Sequence, residues 1–286
     1  MAKDILNVGG FTILGRLGKG ARTTIYRATD DEDGQEVALK RIVLQRPEDA
    51  RVLEQTETEY NIATKIDHPY IRKCFKIKKI KRLFRVRELV MSMELFEGQT
   101  LEEFPGLSLG DVLLIFRMVA AGLNAMHQKG FVHCDIKPNN ILVSKSGAVK
   151  IIDLGQGCPI GTTKARIQGT PDYIAPEQVK REPLGPRTDI FNLGATMYWA
   201  LTGKNVPTLI APKNGVGLLE KRECQAPHEI KPQIPRTISS LVMSCVQDNP
   251  LDRPKDMGEI MSTLDGMIHE IFGERIKAKR NGTAGS

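Results

Sequence analysis

The chain has 286 residues, 41% of them hydrophobic, with 41 Lys and Arg against 34 Asp and Glu for a formal charge of +7. That is length enough for one large domain or two small lobes and composition enough for a packed core, so the chain reads as a globular protein whose modest basic excess selects no partner class. Five cysteines, without a CxxC pair and odd in number, argue against a disulfide framework and for a reducing, cytoplasmic setting.

The opening residues MAKDILNVGG lack a signal-peptide core. The strongest apolar run, Val112 to Met126, is broken by Arg117 and Asn124, so no membrane segment is expected in this chain. Phe11 to Gly18 and Thr24 to Ala28 read as strands joined by a turn with Gly18 and Gly20, where backbone N–H groups can approach phosphates. Alone such a turn is more often a plain hairpin, and strand-turn-strand context argues against a dinucleotide-binding βαβ unit or a Walker loop. In the strand Val37 to Lys40, alternation buries Val37 and Leu39 and points Ala38 and Lys40 the other way. Asp49 to Ile66 is charged and helix-compatible, carries Glu59 and stops before His68-Pro69. A Lys40–Glu59 ion pair would aim the amine at a nucleotide phosphate.

Arg72 to Arg87 is the most basic region, with Phe75, Ile77, Ile80, Leu83 and Phe84 interleaved among its cations. It reads as a two-stranded hairpin with a solvated face rather than a nucleic-acid site, and as a surface for an acidic partner. Leu89 to Leu95 is a further strand, Glu97-Gly98 marks a boundary between lobes, and a helical stretch is expected from Thr100 or Leu101. Leu109 to Gln128 has apolar residues at helical spacing.

His133 to Leu142, HCDIKPNNIL, then packs an acid, a lysine and an amide into one loop. Asp135 could take a hydroxyl proton, Asn140 hold a metal ion and Lys137 neutralise a phosphoryl group, or Asn139 and Asn140 could simply be turn residues. Runs Ile141 to Val143 and Val149 to Ile152 form a hairpin leading to Asp153-Leu154-Gly155. An irregular stretch to Asp172 suits a substrate-binding segment. Helices follow at Thr188 to Leu201 and Asp256 to Phe272, and the basic tail 277–286 reads as disordered.

In this order, Gly18 and Gly20, Val37 to Lys40, Glu59, HCDIKPNN, Asp153 to Gly155, Ala175 to Glu177, Asp189 and Arg253 resemble the eukaryotic-type Ser/Thr protein kinase family, with wording close to its bacterial members. The resemblance implies a single kinase domain over 1–286 of α+β, bilobal fold. A small antiparallel β-rich N-lobe, with one main helix, would span about residues 10–95, and a larger helical C-lobe about 98–272. It implies ATP held by Leu17, Gly18, Gly20, Ile25, Ala38, Lys40, Met93, Glu94, Phe96, Glu97, Leu142 and Asp153. Lys40, paired with Glu59, would meet the phosphates; Asn140 and Asp153 would hold Mg²⁺, with Mn²⁺ as an alternative; Asp135 and Lys137 would serve the transfer to Ser/Thr hydroxyls of a protein substrate. Glu177–Arg253 and Asp189 would be structural.

The chain departs from the family where Cys134 replaces the arginine that reads an activation-segment phosphate and Arg166 stands at the usual phosphothreonine position. Activity independent of phosphorylation at that point is therefore expected, with Thr162 and Thr163 as autophosphorylation sites and Thr170 contacting the catalytic loop. Cys134 and Cys158 read either as a pair close enough for redox control or as buried, inert thiols. A pseudokinase, a small-molecule phosphotransferase and a nucleic-acid role for the basic hairpin are the competing readings.

Overall fold

The computed structural model describes residues 6–20, 22–46, 49–104, 106–207 and 224–282. Contacts divide the chain into two compact units, one comprising residues up to Glu97 plus Ile152–Gln156, the other Gly98–Ile151 and residues from Gly157 onward.

The first unit contains β1 (Phe11–Lys19), β2 (Thr23–Asp30), β3 (Glu36–Val43), α1 (Ala50–Ala63), β4 (Cys74–Arg82) and β5 (Arg85–Met93). The strands form one antiparallel sheet in the order β1-β2-β3-β5-β4. Strand alternation sends Val37 and Leu39 into a cluster with Val8, Phe11, Ala28 and Val90, which leaves Ala38 and Lys40 on the opposite side. Two register shifts in β1, between Ile13 and Gly15 and between Arg16 and Gly18, bend the strand as it approaches the glycine turn.

Two boundaries differ from expectation. The basic stretch and the following strand are one hairpin whose turn is Leu83-Phe84, with β5 running unbroken to Met93; without glycine or asparagine the turn carries no sequence signal. Helix α1 ends at Ala63 rather than Ile66, because Lys65 and Ile66 N–H groups close tighter bonds to the Ile62 and Ala63 carbonyls at 3.0 and 3.2 Å.

The second unit contains β6 (Gln99–Thr100), α2 (Leu109–Gln128), β7 (Phe131–Val132), β8 (Ile141–Val143), β9 (Val149–Ile151), β10 (Cys158–Pro159), α3 (Pro176–Lys180), α4 (Pro186–Thr202), α5 (Pro227–Ile230), α6 (Arg236–Cys245) and α7 (Met257–Gly282). The helix expected from Thr100 is absent. Gln99–Thr100 pairs instead with β8, and Leu101 N–H donates to the Ile141 carbonyl at 2.8 Å. Helix α2 begins at a capping box: Ser108 Oγ accepts from Asp111 N–H at 3.2 Å and Asp111 Oδ2 accepts from Ser108 N–H at 2.9 Å.

By length and composition alone, and despite Arg117 and Asn124, α2 is long and apolar enough to cross a membrane, as the core helix of a folded domain also can be. Its Val112, Leu113, Phe116, Val119, Leu123 and Met126 are buried within the unit, where α4 and α7 cover it, and Arg117 reaches Asp265 of α7 at 3.0 Å. A helix covered on several sides needs apolar residues around most of its circumference. Helix α7 continues through Gly282, so residues 277–282, expected to be disordered, are helical; Lys, Ala and Arg are good helix formers and extend it. Residues 283–286 lie outside the described residues.

Candidate active site

In the first unit the sheet register assembles the residues assigned to the nucleotide. Gly18 faces Ile25 across β1 and β2, Ile25 faces Lys40, and Ala38 faces Met93. Gly20 N–H closes the glycine turn onto the Thr23 carbonyl at 2.8 Å. Arg22 beside it reaches Asp49 at 2.6 Å, a contact that nothing in the sequence signalled. Met93 is fully buried, Glu94 N–H donates to the Lys73 carbonyl at 2.9 Å, Phe96 is half-buried, and Leu17 and Glu97 are exposed.

Lys40 Nζ donates to Glu59 Oε2 at 2.6 Å. Burial opposes the ammonium, but Glu59 and Asp153 together outweigh it and hold the Lys40 pKa above the ordinary lysine value. Arg72, read from the sequence only as the start of the basic stretch, stands 3.8 Å from Glu59 Oε1. Asp153 has a left-handed backbone with φ of 61°, a conformation that costs a non-glycine residue about 1–2 kcal/mol. Packing against α1 holds it: Leu154 is buried, and a Cβ on Gly155 would meet the Gln55 carbonyl oxygen at 3.0 Å, a tight approach that glycine makes without displacing its neighbour.

In the second unit Asp135, Lys137 and Thr170 form a closed hydrogen-bonded cluster. Thr170 Oγ1 donates to Asp135 Oδ1 at 2.8 Å, Lys137 Nζ donates to Asp135 Oδ2 at 2.9 Å, and Lys137 Nζ also donates to Thr170 Oγ1 at 2.7 Å. Asn140 Nδ2 donates to the Asp135 backbone carbonyl at 2.8 Å, which leaves its Oδ1 as a hard oxygen acceptor of the kind Mg²⁺ takes. Leu142 lies on β8 between Thr100 and Lys150.

The loop carrying Asp135 is fastened from below. Asp189, buried at the start of α4, accepts backbone N–H bonds from His133 and Cys134, both at 2.8 Å, and lies 2.8 Å from His127 Nε2. Burial works against its charge, but the bonds from His127 and the His133 backbone hold its pKa below the usual aspartate value. Cys134 has φ of 64°, and Gln178 Nε2 donates to its carbonyl at 2.8 Å and to that of Gln168 at 3.1 Å. Gln178 was not singled out from the sequence, since backbone carbonyl partners leave no trace in residue pattern. Arg253 clamps Glu177 with two bonds of 2.8 and 2.9 Å and spends its remaining donors on the Arg187, Gln247 and Asp248 carbonyls.

The Cys134 and Cys158 sulfurs lie 3.8 Å apart inside a cluster with Val132 and Leu184. The contact between the two thiols raises the Cys134 pKa and lowers that of Cys158. Cys74 and Cys245 are ordinary buried thiols, each pushed up to about 12 by burial.

The family model for the protein kinase domain matches residues 11–264. Among curated relatives, the serine/threonine-protein kinase PknA of Mycobacterium tuberculosis is 28% identical over 267 residues, which cover 87% of this chain and 60% of the relative. PknL of the same organism is 28% identical over 284 residues, covering 95% of this chain and 69% of the relative. A probable serine/threonine-protein kinase of Clostridium acetobutylicum is 26% identical over 267 residues, 90% of this chain and 40% of the relative. The chain thus spans well under two thirds of the length of some of these relatives. With the family model covering most of its residues and the motif residues ordered as described, the chain belongs to the protein kinase domain family.

Proposed function

We propose that the protein is a serine/threonine protein kinase that transfers the γ-phosphoryl group of ATP to Ser or Thr hydroxyls of protein substrates. The observation that carries this reading is the Asp135–Thr170–Lys137 cluster, a carboxylate oriented at both oxygens beside a cation. Asp135 takes the proton of the attacking hydroxyl, and Lys137 offsets negative charge on the phosphoryl oxygens. Lys40, kept charged by Glu59, binds the α- and β-phosphates. Gly18 and Gly20 let the backbone of the turn come close to the phosphates; Leu17, Ile25, Ala38 and Met93 of the first unit and Leu142 of the second are the residues assigned to the base, Glu94 and Phe96 to its edge and Glu97 to the ribose. Asn140 and Asp153 would hold Mg²⁺, or Mn²⁺ in its place, which neutralises charge on the phosphates. Positioning and electrostatics supply the catalysis.

Cys134 and Arg166 support activity without a phosphate at the usual activation-segment position, since neither a reader nor an acceptor stands there. Thr162 and Thr163 are the proposed autophosphorylation sites. Five unbridged cysteines support a cytoplasmic setting for the domain.

The test is transfer of labelled γ-phosphate from Mg·ATP to the chain itself and to a generic basic protein, followed by phosphoamino-acid analysis. Label on phosphoserine or phosphothreonine that requires divalent cation is expected. Tight nucleotide binding with no transfer to any acceptor would instead favour a pseudokinase.

A further inference from the structure

The tip of the β4–β5 hairpin breaks the rules of its own turn. Arg82 pairs with Arg85 as the last rung, so Leu83 and Phe84 form a two-residue loop. Their φ angles are 48° and 65°, both left-handed, a geometry that ordinarily selects Asn-Gly. They are also bare to solvent, with relative exposures of 86% for Leu83 and 101% for Phe84. Two bulky apolar side chains in a strained conformation gain nothing from the fold at this point. Such a conflict between local rule and residue marks a functional position more often than an accident.

The charges around the tip are sorted. Near the root of the hairpin the cations are spent within the unit: Lys76 lies 2.7 Å from Asp30 and 2.6 Å from Glu32, and Lys79 pairs with Glu57. Toward the tip, Lys81, Arg85 and Arg87 are exposed and have no acidic partner among the described residues. A convex apolar point ringed by unpaired cations is complementary to a surface that is negative outside and apolar just beneath.

We propose that the β4–β5 tip docks on an anionic lipid surface, with Phe84 and Leu83 entering the headgroup boundary and Lys81, Arg85 and Arg87 meeting lipid phosphates. Two features favour a bilayer over an acidic protein. A stable protein interface buries about 800 Å² on each partner, which a two-residue point does not offer, whereas a soft interface admits single aromatic side chains. The adjoining edge strand β4 is lined with lysines, which discourage strand addition by a protein partner.

The experiment is sedimentation of the 286-residue chain with extruded vesicles of phosphatidylcholine alone, or containing about 30 mol% phosphatidylglycerol as the anionic lipid. Binding to the anionic vesicles only, weakened as salt shortens the Debye length, is expected. The double variant Leu83→Asn/Phe84→Gly relieves the turn and so keeps or raises the melting temperature, yet should lower vesicle partitioning about tenfold or more. The triple variant Lys81→Glu/Arg85→Glu/Arg87→Glu should abolish it. Equal binding to neutral vesicles, undiminished binding by the Asn-Gly variant, or no vesicle binding by the wild type overturns the proposal. The last holds equally if the wild type instead self-associates or binds polyglutamate through the tip.

Discussion

Lys40 in the first unit is fixed by a short ion pair to Glu59 at 2.6 Å, with the charge of Asp153 adding to its hold, while Arg72 stands 3.8 Å from the other Glu59 oxygen. Asp135 in the second unit is fixed from several directions, at its carboxylate by Thr170 and Lys137, at its carbonyl by Asn140, and through its loop by Asp189 and Gln178. The group assigned to proton transfer is thus over-determined, while the group assigned to phosphate binding depends chiefly on where one helix, α1, places the Glu59 carboxylate. An arrangement with one main tether can be displaced by moving that helix; one with many tethers loses function only when its own chemistry is changed.

The sharpest break in this comparison is Asp135→Asn. It should lower the transfer rate by about 10³-fold while leaving the melting temperature nearly unchanged, because the remaining tethers still hold the loop. Next in size is Arg253→Met, which strands Glu177 as an unpaired buried charge and should cost about 3–5 kcal/mol of stability in a urea titration. Glu59→Gln removes the charge that Lys40 pairs with while leaving an oxygen acceptor, and should reduce kcat/KM for ATP by about 10²-fold, with little loss of stability in the second unit by hydrogen exchange. Thr170→Val, which removes one of the Asp135 bonds, should cost about tenfold in rate; Thr170→Ser should restore most of it.

Asp189 gives the comparison a pH dependence. Its folded pKa is depressed, so its contribution to stability is complete above the unfolded carboxylate value, about 4, and is lost as pH falls through the lower folded value. Urea midpoints measured between neutral and acid pH should therefore decline at the acid end, with a shallower decline in Asp189→Asn.

The fold and both halves of the candidate site were legible to different degrees. Lys40, Glu59, Asp135 and Asn140 were singled out by the ordered set of motifs that resembles the kinase family, and the Lys40–Glu59 pair is present; α2 was legible because its apolar residues recur at helical spacing from Val112 to Met126. What stayed hidden were contacts made to backbone or across long separations. Gln178 binds the Cys134 carbonyl, Arg72 approaches Glu59, and Gln99–Thr100 adds a strand to β8, none with a pattern in the neighbouring residues. The Leu83-Phe84 turn was hidden because its residues contradict its geometry. The capping box at Ser108 and Asp111, by contrast, was available in the sequence and marks the true start of α2.

Under the proposed function Lys40 and Asp135 divide the labour, Lys40 holding nucleotide and Asp135 serving the hydroxyl. Calorimetric affinity for Mg·ATP and the single-turnover transfer rate, measured together on Asp135→Asn and Lys40→Met, test it most directly. Asp135→Asn should keep wild-type affinity and lose transfer, whereas Lys40→Met should lose both. Loss of nucleotide affinity in Asp135→Asn with transfer retained in Lys40→Met would contradict the account.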